Sequence, residues 1–480
     1  MKPVRTTPPL WCWFAVIGVL GLSACAHYTP KPLVPATTAA TLESRTLADA
    51  GLRAYIEGNV GHPFEQWPLQ VWNVELLTLA AFYYHPSLEV VRAQWTTAAA
   101  TVITAGARPN PTLILTPEFS SNPPPGISPW LPSIGLELPI ETAGKRGFRL
   151  AQAQQLSEAA RWNVLTIAWQ VRHNLRIALL DVTATRQRER LLNDQLDIQA
   201  EIIRLLEQRR TAGAVAGSEV TVARTHLAKT RLDLQTARID SADARVRVAD
   251  ALGVPVAGMG DVEFRFSLEA PTDAGVITTE ARARALQRRT DVLSALAEYA
   301  AAQSALQLEI AKQYPNVQLG PGYQWDQGER KWRVGLTMEL PVFNRNQGPI
   351  AEAEARRAEV GARFVALQAN VISDIDHATS ALRTAEQALL GGEALLSVQG
   401  QQVTSMRSQL AAGAVDSLDV ATAQFELSAV QVLAFEARVR RQQSLSALED
   451  ALQQPLGIEN GAQTVLLQIQ STQHSPNSHQ

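Results

Sequence analysis

The chain has 480 residues, 46% of them hydrophobic and only 6% aromatic, and its 46 acidic side chains against 43 lysines and arginines leave a formal charge of -3. That balance excludes a basic nucleic-acid-binding surface, and two cysteines exclude a disulfide framework or a thiolate metal cluster. No stretch of eighteen apolar residues lies beyond the first segment, so any membrane crossing must be made by strands.

Lys2 and Arg5 precede an apolar run from Leu10 to Leu22, too short to span a bilayer comfortably and flanked as a secretory signal is. Its end, Leu22-Ser23-Ala24-Cys25, resembles a bacterial lipoprotein cleavage box. In that reading residues 1–24 are removed and Cys25 carries a covalent lipid, the one attached group expected, with no cofactor besides. Ala26, by the same resemblance, permits passage to the outer membrane. The alternative is an ordinary cleaved signal with Cys25 incidental. Residues 25–69, rich in Pro, Thr and Ala, read as an extended lipidated arm.

From residue 70 the chain says much the same thing twice, as 70–255 and 281–457, separated by a belt segment at 256–280. Each copy runs from a shorter helix (87–107; 281–312) through two alternating segments to a helix of about sixty residues (148–210; 349–411), a glycine-containing tip and a return helix (218–251; 417–452). Pro109-Asn110 answers Pro315-Asn316, and Leu136-Glu137-Leu138-Pro139-Ile140 answers Met338-Glu339-Leu340-Pro341-Val342. Thr211-Ala212-Gly213-Ala214-Val215 returns as Ala411-Ala412-Gly413-Ala414-Val415. A long repeat of this kind implies architecture built from stacked identical parts.

The alternating segments are 112–119 with 131–140, and 316–325 with 331–341. In the second pair Val317, Leu319, Pro321, Tyr323 and Trp325 share one face, as do Trp332, Val334, Leu336, Met338 and Leu340. Period two over about ten residues is the pattern of a lipid-facing barrel strand, and Trp130, Tyr323, Trp325 and Trp332 stand where an aromatic girdle belongs. A soluble hairpin packed on the helices has the same pattern. Four strands cannot close a barrel without open edges in hydrocarbon, so a membrane reading demands several copies. Leu382, Leu389, Leu396, Val403 and Leu410 recur every seven residues, a supercoiling seam.

Gly213 and Gly413 reverse the chain, since glycine accepts positive φ. Val215, Ser218, Val415 and Ser417 flank them, and Glu219, Asp416 and Asp419 place carboxylates at the starts of the return helices. Those acids suit the helix dipole, or, repeated by symmetry, a ring of carboxylates at an aperture. His85, His173, His226 and His377 are scattered, no nucleophile, phosphate-loop or dinucleotide motif occurs, and no metal ligands are assigned. Residues 458–480 read as a disordered tail.

Strand pair, long helix, glycine tip and return helix, repeated after a lipoprotein signal, resemble the TolC-type outer membrane factor family over nearly all of residues 70–457. The resemblance implies a mainly α protein with a small membrane β-barrel: a homotrimer whose twelve strands form the barrel in outer-membrane lipid and whose helices form a periplasmic tunnel. It implies a passive, non-enzymatic exit channel, with the tips meeting a periplasmic adaptor that serves an inner-membrane pump of the RND type. Pro139-Ile140-Glu141-Thr142-Ala143-Gly144-Lys145-Arg146 resembles the Pro-(Ile/Leu)-Glu-x-Gly-Gly-Lys-Arg turn of the heavy-metal, CzcC-like branch, with Ala143 in place of the first glycine. Heavy-metal cations are thus the expected substrate, and drugs or other small molecules the alternative. Lys145 and Arg146 are equally suited to cap a polar turn. A periplasmic adaptor would show one hairpin with lipoyl-like β-segments, and a structural coiled coil would lack the strands.

Overall fold

A computed structural model describes residues 27–268, 279–326 and 328–456. Cys25, the signal and the tail from 458 lie outside these residues, as do residues 269–278 of the belt segment. Of the described residues, those up to Ser44 form one unit, in which α1 (Pro35–Glu43) starts on a proline, and those from Arg45 onward form a second.

In the second unit α2 (Ala50–Val60) is capped by Asp49, whose carboxylate accepts from the Leu52 N–H, and ends on Gly61 in the left-handed region. A short strand β1 (Val71–Asn73) leads to α3 (Val74–Tyr84) and α4 (Pro86–Gly106). The first strands are β2 (Thr112–Leu115), β3 (Glu118–Phe119), β4 (Trp130–Leu131) and β5 (Ser133–Ile140). Then come α5 (Lys145–Thr211), α6 (Gly217–Leu252), α7 (Val256–Met259) and β6 (Glu263–Arg265). The second copy comprises α8 (Thr279–Arg288), α9 (Thr290–Ala311), β7 (Val317–Asp326), β8 (Glu329–Met338), α10 (Gln347–Ala411) and α11 (Ser417–Leu452). At 67 and 65 residues, α5 and α10 each extend roughly 100 Å.

The extended-arm reading of residues 25–69 is corrected beyond Ser44. Leu47, Leu52 and Ile56 are almost fully buried in a core with Trp72, Leu77, Phe82, Leu175, Leu179 and Leu252. The Leu47 N–H donates to the Gly258 carbonyl, and β1 pairs in parallel with β6, so these residues and the start of the belt are one packed layer. Burial of such side chains is worth roughly 1.5–3 kcal/mol each.

The helix expected over 281–312 is two helices. It breaks at Arg289, where the Thr290 N–H and hydroxyl both donate to Gln453 Oε1 and the Arg289 guanidinium donates to the Ala451 carbonyl. The end of α11 supplies the caps that a break exposes. A second, smaller core unites Val292 with Val371, Ile375 and Leu382 on α10 and Leu445 and Leu448 on α11. Val403 and Val420 are buried farther along these two helices, while Leu410 is exposed.

β2, β5, β7 and β8 form one antiparallel sheet in that order, joining the two repeats at β5–β7. Its register places Leu138 opposite Leu319, Leu319 opposite Leu336, and Tyr323 opposite Trp332. One face is therefore continuously apolar. The other alternates small and polar residues, with Gln318 opposite Thr337 and Gly322 opposite Arg333. The first strand stops short of its expected end because Pro117 has no N–H to continue the ladder. Glu118 and Phe119 resume it against Leu131 and Trp130.

Candidate functional site: sheet, junction and tips

The apolar face is uncovered in the single chain. Trp332 is 82% exposed, Val334 75%, Leu336 63%, and Leu113 and Leu115 about as much. A contiguous apolar face of this extent needs a partner or a lipid phase. At one end of the sheet Tyr323 packs against Trp332 with centroids 4.9 Å apart, and Phe119 meets Trp130 edge-on at 5.1 Å. Trp130, Tyr323 and Trp332 are among the four aromatics the sequence marks as a girdle, and Phe119 joins them.

The turn from β5 into α5 reaches across the repeat boundary. Lys145, 7% exposed, donates from Nζ to the Tyr314 carbonyl at 2.5 Å and to Asn316 Oδ1 at 2.6 Å. The Thr142 hydroxyl donates to the Pro315 carbonyl, and Arg146 donates to the Gly106 carbonyl at the end of α4. Arg149, which the sequence did not single out, donates to both oxygens of Glu141 and to the Ala105 and Ala107 carbonyls. So Glu141, Lys145 and Arg146 fasten the ends of α4 and α9 to the sheet, a larger role than capping a local turn. Pro139 is a strand residue opposite Gln318. An open cleft of about 820 Å³ adjoins the junction, lined by Lys145, Arg149, Lys312, Gln318, Thr337 and Glu339 among others. Burial pushes the Lys145 ammonium below the usual lysine value.

Gly144 caps α5 with φ of 72°, and Ala143 before it has φ of 55°. The left-handed region costs a residue with a Cβ roughly 1–2 kcal/mol, partly offset by the chain entropy glycine loses on folding. Ala143→Gly is therefore expected to stabilise the protein by about 0.5–1 kcal/mol, read from its denaturation midpoint. A drop in that midpoint would contradict the strain argument.

The Glu141 carboxyl is held below the usual carboxylate range, chiefly by its hydrogen bond from Arg149. Because the folded value is the lower one, this contribution is complete above the unfolded value and is lost as pH falls through the folded value. Arg149→Met is expected to lower the neutral-pH melting temperature and to flatten its decline toward acid pH. An unchanged acid slope would assign that decline to other groups.

At the tips Gly213 and Gly413 have φ of 77° and 75°, and the N–H of each donates to the carbonyl three residues earlier. Val215 and Val415 are half-buried beneath exposed turns, while Ser218 and Ser417 are exposed. The acids are committed to the helix starts. Asp416 accepts from the Leu418 and Asp419 N–H groups, Asp419 accepts from Asp416 N–H, and Glu219 accepts from Ala216 N–H. Arg209 on α5 pairs with Asp416 and ties the two hairpins together. The ion pair with Arg209 offsets part of the charge that Asp416 carries at this end of the helices. Asp416→Ala removes a cap and this bridge, and about 1–2 kcal/mol of stability with them; a loss under about 0.3 kcal/mol would show that the tip does not depend on it.

Among the described residues no group of His, Cys, Asp and Glu could hold a metal ion, and no helix is long and apolar enough to cross a membrane. The family model of outer membrane efflux proteins matches residues 81–254 and 281–453, one block for each repeat. The chain belongs to the outer membrane efflux protein family. It is 25% identical over 318 residues to the cobalt-zinc-cadmium resistance protein CzcC of Cupriavidus metallidurans, covering 64% of this chain and 71% of that one. It is 24% identical over 323 residues to the pyoverdine export outer membrane protein OpmQ of Pseudomonas aeruginosa, covering 65% and 67%. Among solved structures, the outer-membrane channel OprN superposes with a TM-score of 0.67 at 19% identity, over 90% of this chain and 99% of that one. This efflux protein is an outer-membrane channel component and not an enzyme, and its fold, mainly helical with a small sheet, is that of the channels.

Proposed function

We propose that three copies of this efflux protein close a twelve-stranded barrel in the outer membrane and conduct heavy-metal cations out of the cell. Cys25 anchors each copy by acyl chains, and a multiply acylated terminus is a firm attachment at roughly 0.8 kcal/mol per buried methylene. The tips around Gly213 and Gly413, with Val215, Ser218, Val415 and Ser417, meet a periplasmic adaptor that links the duct to an inner-membrane pump of the RND class. Glu219, Asp416 and Asp419 shape the aperture through the helix starts they cap.

The observation that carries the proposal is the sheet, apolar on one face and polar on the other, with β2 and β8 unpaired at its edges. Open edges in hydrocarbon are costly, and further copies of the same sheet remove them. The choice of metals rests on the turn from Pro139 to Arg146 and on the likeness to CzcC. The nearly equal likeness to OpmQ favours a second reading, export of an organic small molecule.

Intracellular cobalt, zinc, cadmium, nickel, copper and silver, measured with and without the gene, decide between them. Accumulation of particular metals on deletion, reversed by the intact gene, is the expected result. Unchanged metals with new sensitivity to lipophilic drugs would overturn the metal reading.

A further inference from the structure

The internal repeat specifies how one copy meets the next. Inside the chain, β5 of the first repeat pairs with β7 of the second, Leu138 opposite Leu319 and Ile140 opposite Val317. In the repeat alignment β8 and the residues after it correspond to β5, and β2 corresponds to β7. β5 is paired through Ile140, whereas β8 ends at Met338 and leaves Leu340, Val342 and Phe343 69%, 67% and 98% exposed. β7 runs for ten residues, whereas β2 runs for four. β2 is thus shorter than β7, where Pro117 interrupts it, and β8, although ten residues long, stops earlier than β5 in the repeat correspondence, at the end that faces no neighbour in the single chain.

We infer that β8 of one copy pairs antiparallel with β2 of the next in the register of the β5–β7 ladder, with Leu340 opposite Leu113 and Met338 opposite Leu115. This register keeps all four leucine and methionine side chains on the apolar face, and a slip of one residue would set the apolar side chains of one strand against the polar face of the other. The same correspondence translates the junction. Thr142 becomes Asn344 and Lys145 becomes Gln347, while Tyr314, Pro315 and Asn316 become Arg108, Pro109 and Asn110. Asn344 Oδ1 accepts from the Asn346 N–H and Gln347 Oε1 accepts from the Arg345 N–H, which leaves the NH₂ end of each amide as a donor. Gln347 then donates to the Arg108 carbonyl of the neighbouring copy and Asn344 to its Pro109 carbonyl. The seam inside a chain is held by a buried ammonium, and the seam between chains by neutral amides.

The inference rests on the channel reading, and disulfide trapping separates the two. Leu113→Cys with Leu340→Cys in one chain, oxidised in outer-membrane fractions, is expected to give covalent oligomers on non-reducing gels, because directly opposed residues have Cβ atoms about 4.5–5.5 Å apart. Each single variant should give none beyond the wild type, and Leu113→Cys with Leu336→Cys far less. Gln347→Ala is expected to lower the temperature at which oligomers dissociate, with the helical circular dichroism unchanged. Stronger trapping of Leu113 with Leu336, in native oligomers, would overturn the register and leave the channel reading intact. Absence of any oligomer in wild type and variants alike would overturn both.

Discussion

Val334→Arg is expected to abolish assembly of the protein in the outer membrane, whereas Thr337→Arg on the other face of the same strand is tolerated. Val334 lies opposite Pro321 midway along the edge strand β8, 75% exposed on the apolar face, and Thr337 lies opposite Gln318 on the polar one. An arginine at the bilayer midplane of a barrel strand costs about 2–4 kcal/mol. Three copies in one barrel incur that cost three times, which is comparable to the whole stability of many domains. A lumen-facing arginine meets water and carries no such cost. SDS-resistant oligomers in membrane fractions read the difference directly. Equal assembly of both variants would mean that the apolar face is not turned toward lipid.

Glu449→Ala is expected to destabilise the helical body by about 3–5 kcal/mol, the usual result of removing one partner from a buried ion cluster. Arg172 and Arg176 on α5 lie 3.6 and 3.4 Å from Glu449 on α11, and all three side chains are nearly inaccessible. Arg176 also donates to Ser446 Oγ, and the Leu456 N–H donates to Glu449 Oε1. Arg172 packs over Trp169 and Arg176 over Phe266, so the cluster binds first repeat, second repeat and belt into one layer. Glu449→Gln keeps the acceptor for Leu456 and the side-chain volume, and is expected to lose less than the alanine variant. Denaturant titration of the detergent-solubilised protein measures both. A loss below about 1 kcal/mol for the alanine variant would show that the arginines are compensated without Glu449.

Long helices and tips were legible in the sequence because their signals are local. A glycine in positive φ at positions 213 and 413 and a seven-residue apolar spacing around Val403 need no knowledge of the rest of the chain. The alternation of Val317 to Trp325 with Trp332 to Met338 was equally local, and so was the choice of apolar face. What was not legible depends on partners far along the chain. Thr290 and Asp291 are the only local sign of the break at Arg289, and the acceptor for the Thr290 N–H comes from Gln453, far along the chain. The pairing of Arg176 with Glu449 needs the register of two helices from different repeats. Lys145 read as a cap on its own turn, and the structure sends it to Tyr314 and Asn316 instead. In the 45–69 segment Asp49, three residues before Leu52, marks a helix start, a local sign set in a stretch whose Pro, Thr and Ala content points to an arm.

In the channel, one face of the β2-β5-β7-β8 sheet meets lipid and the other meets water. Fluorescence of a probe on Val334→Cys and, separately, on Thr337→Cys, in vesicles whose acyl chains carry a bromine quencher, tells the two faces apart. Strong quenching at position 334 with little at 337 is the result expected of a barrel strand. Equal, weak quenching at both positions in folded, vesicle-bound protein would contradict it and make the sheet a soluble hairpin covered by protein.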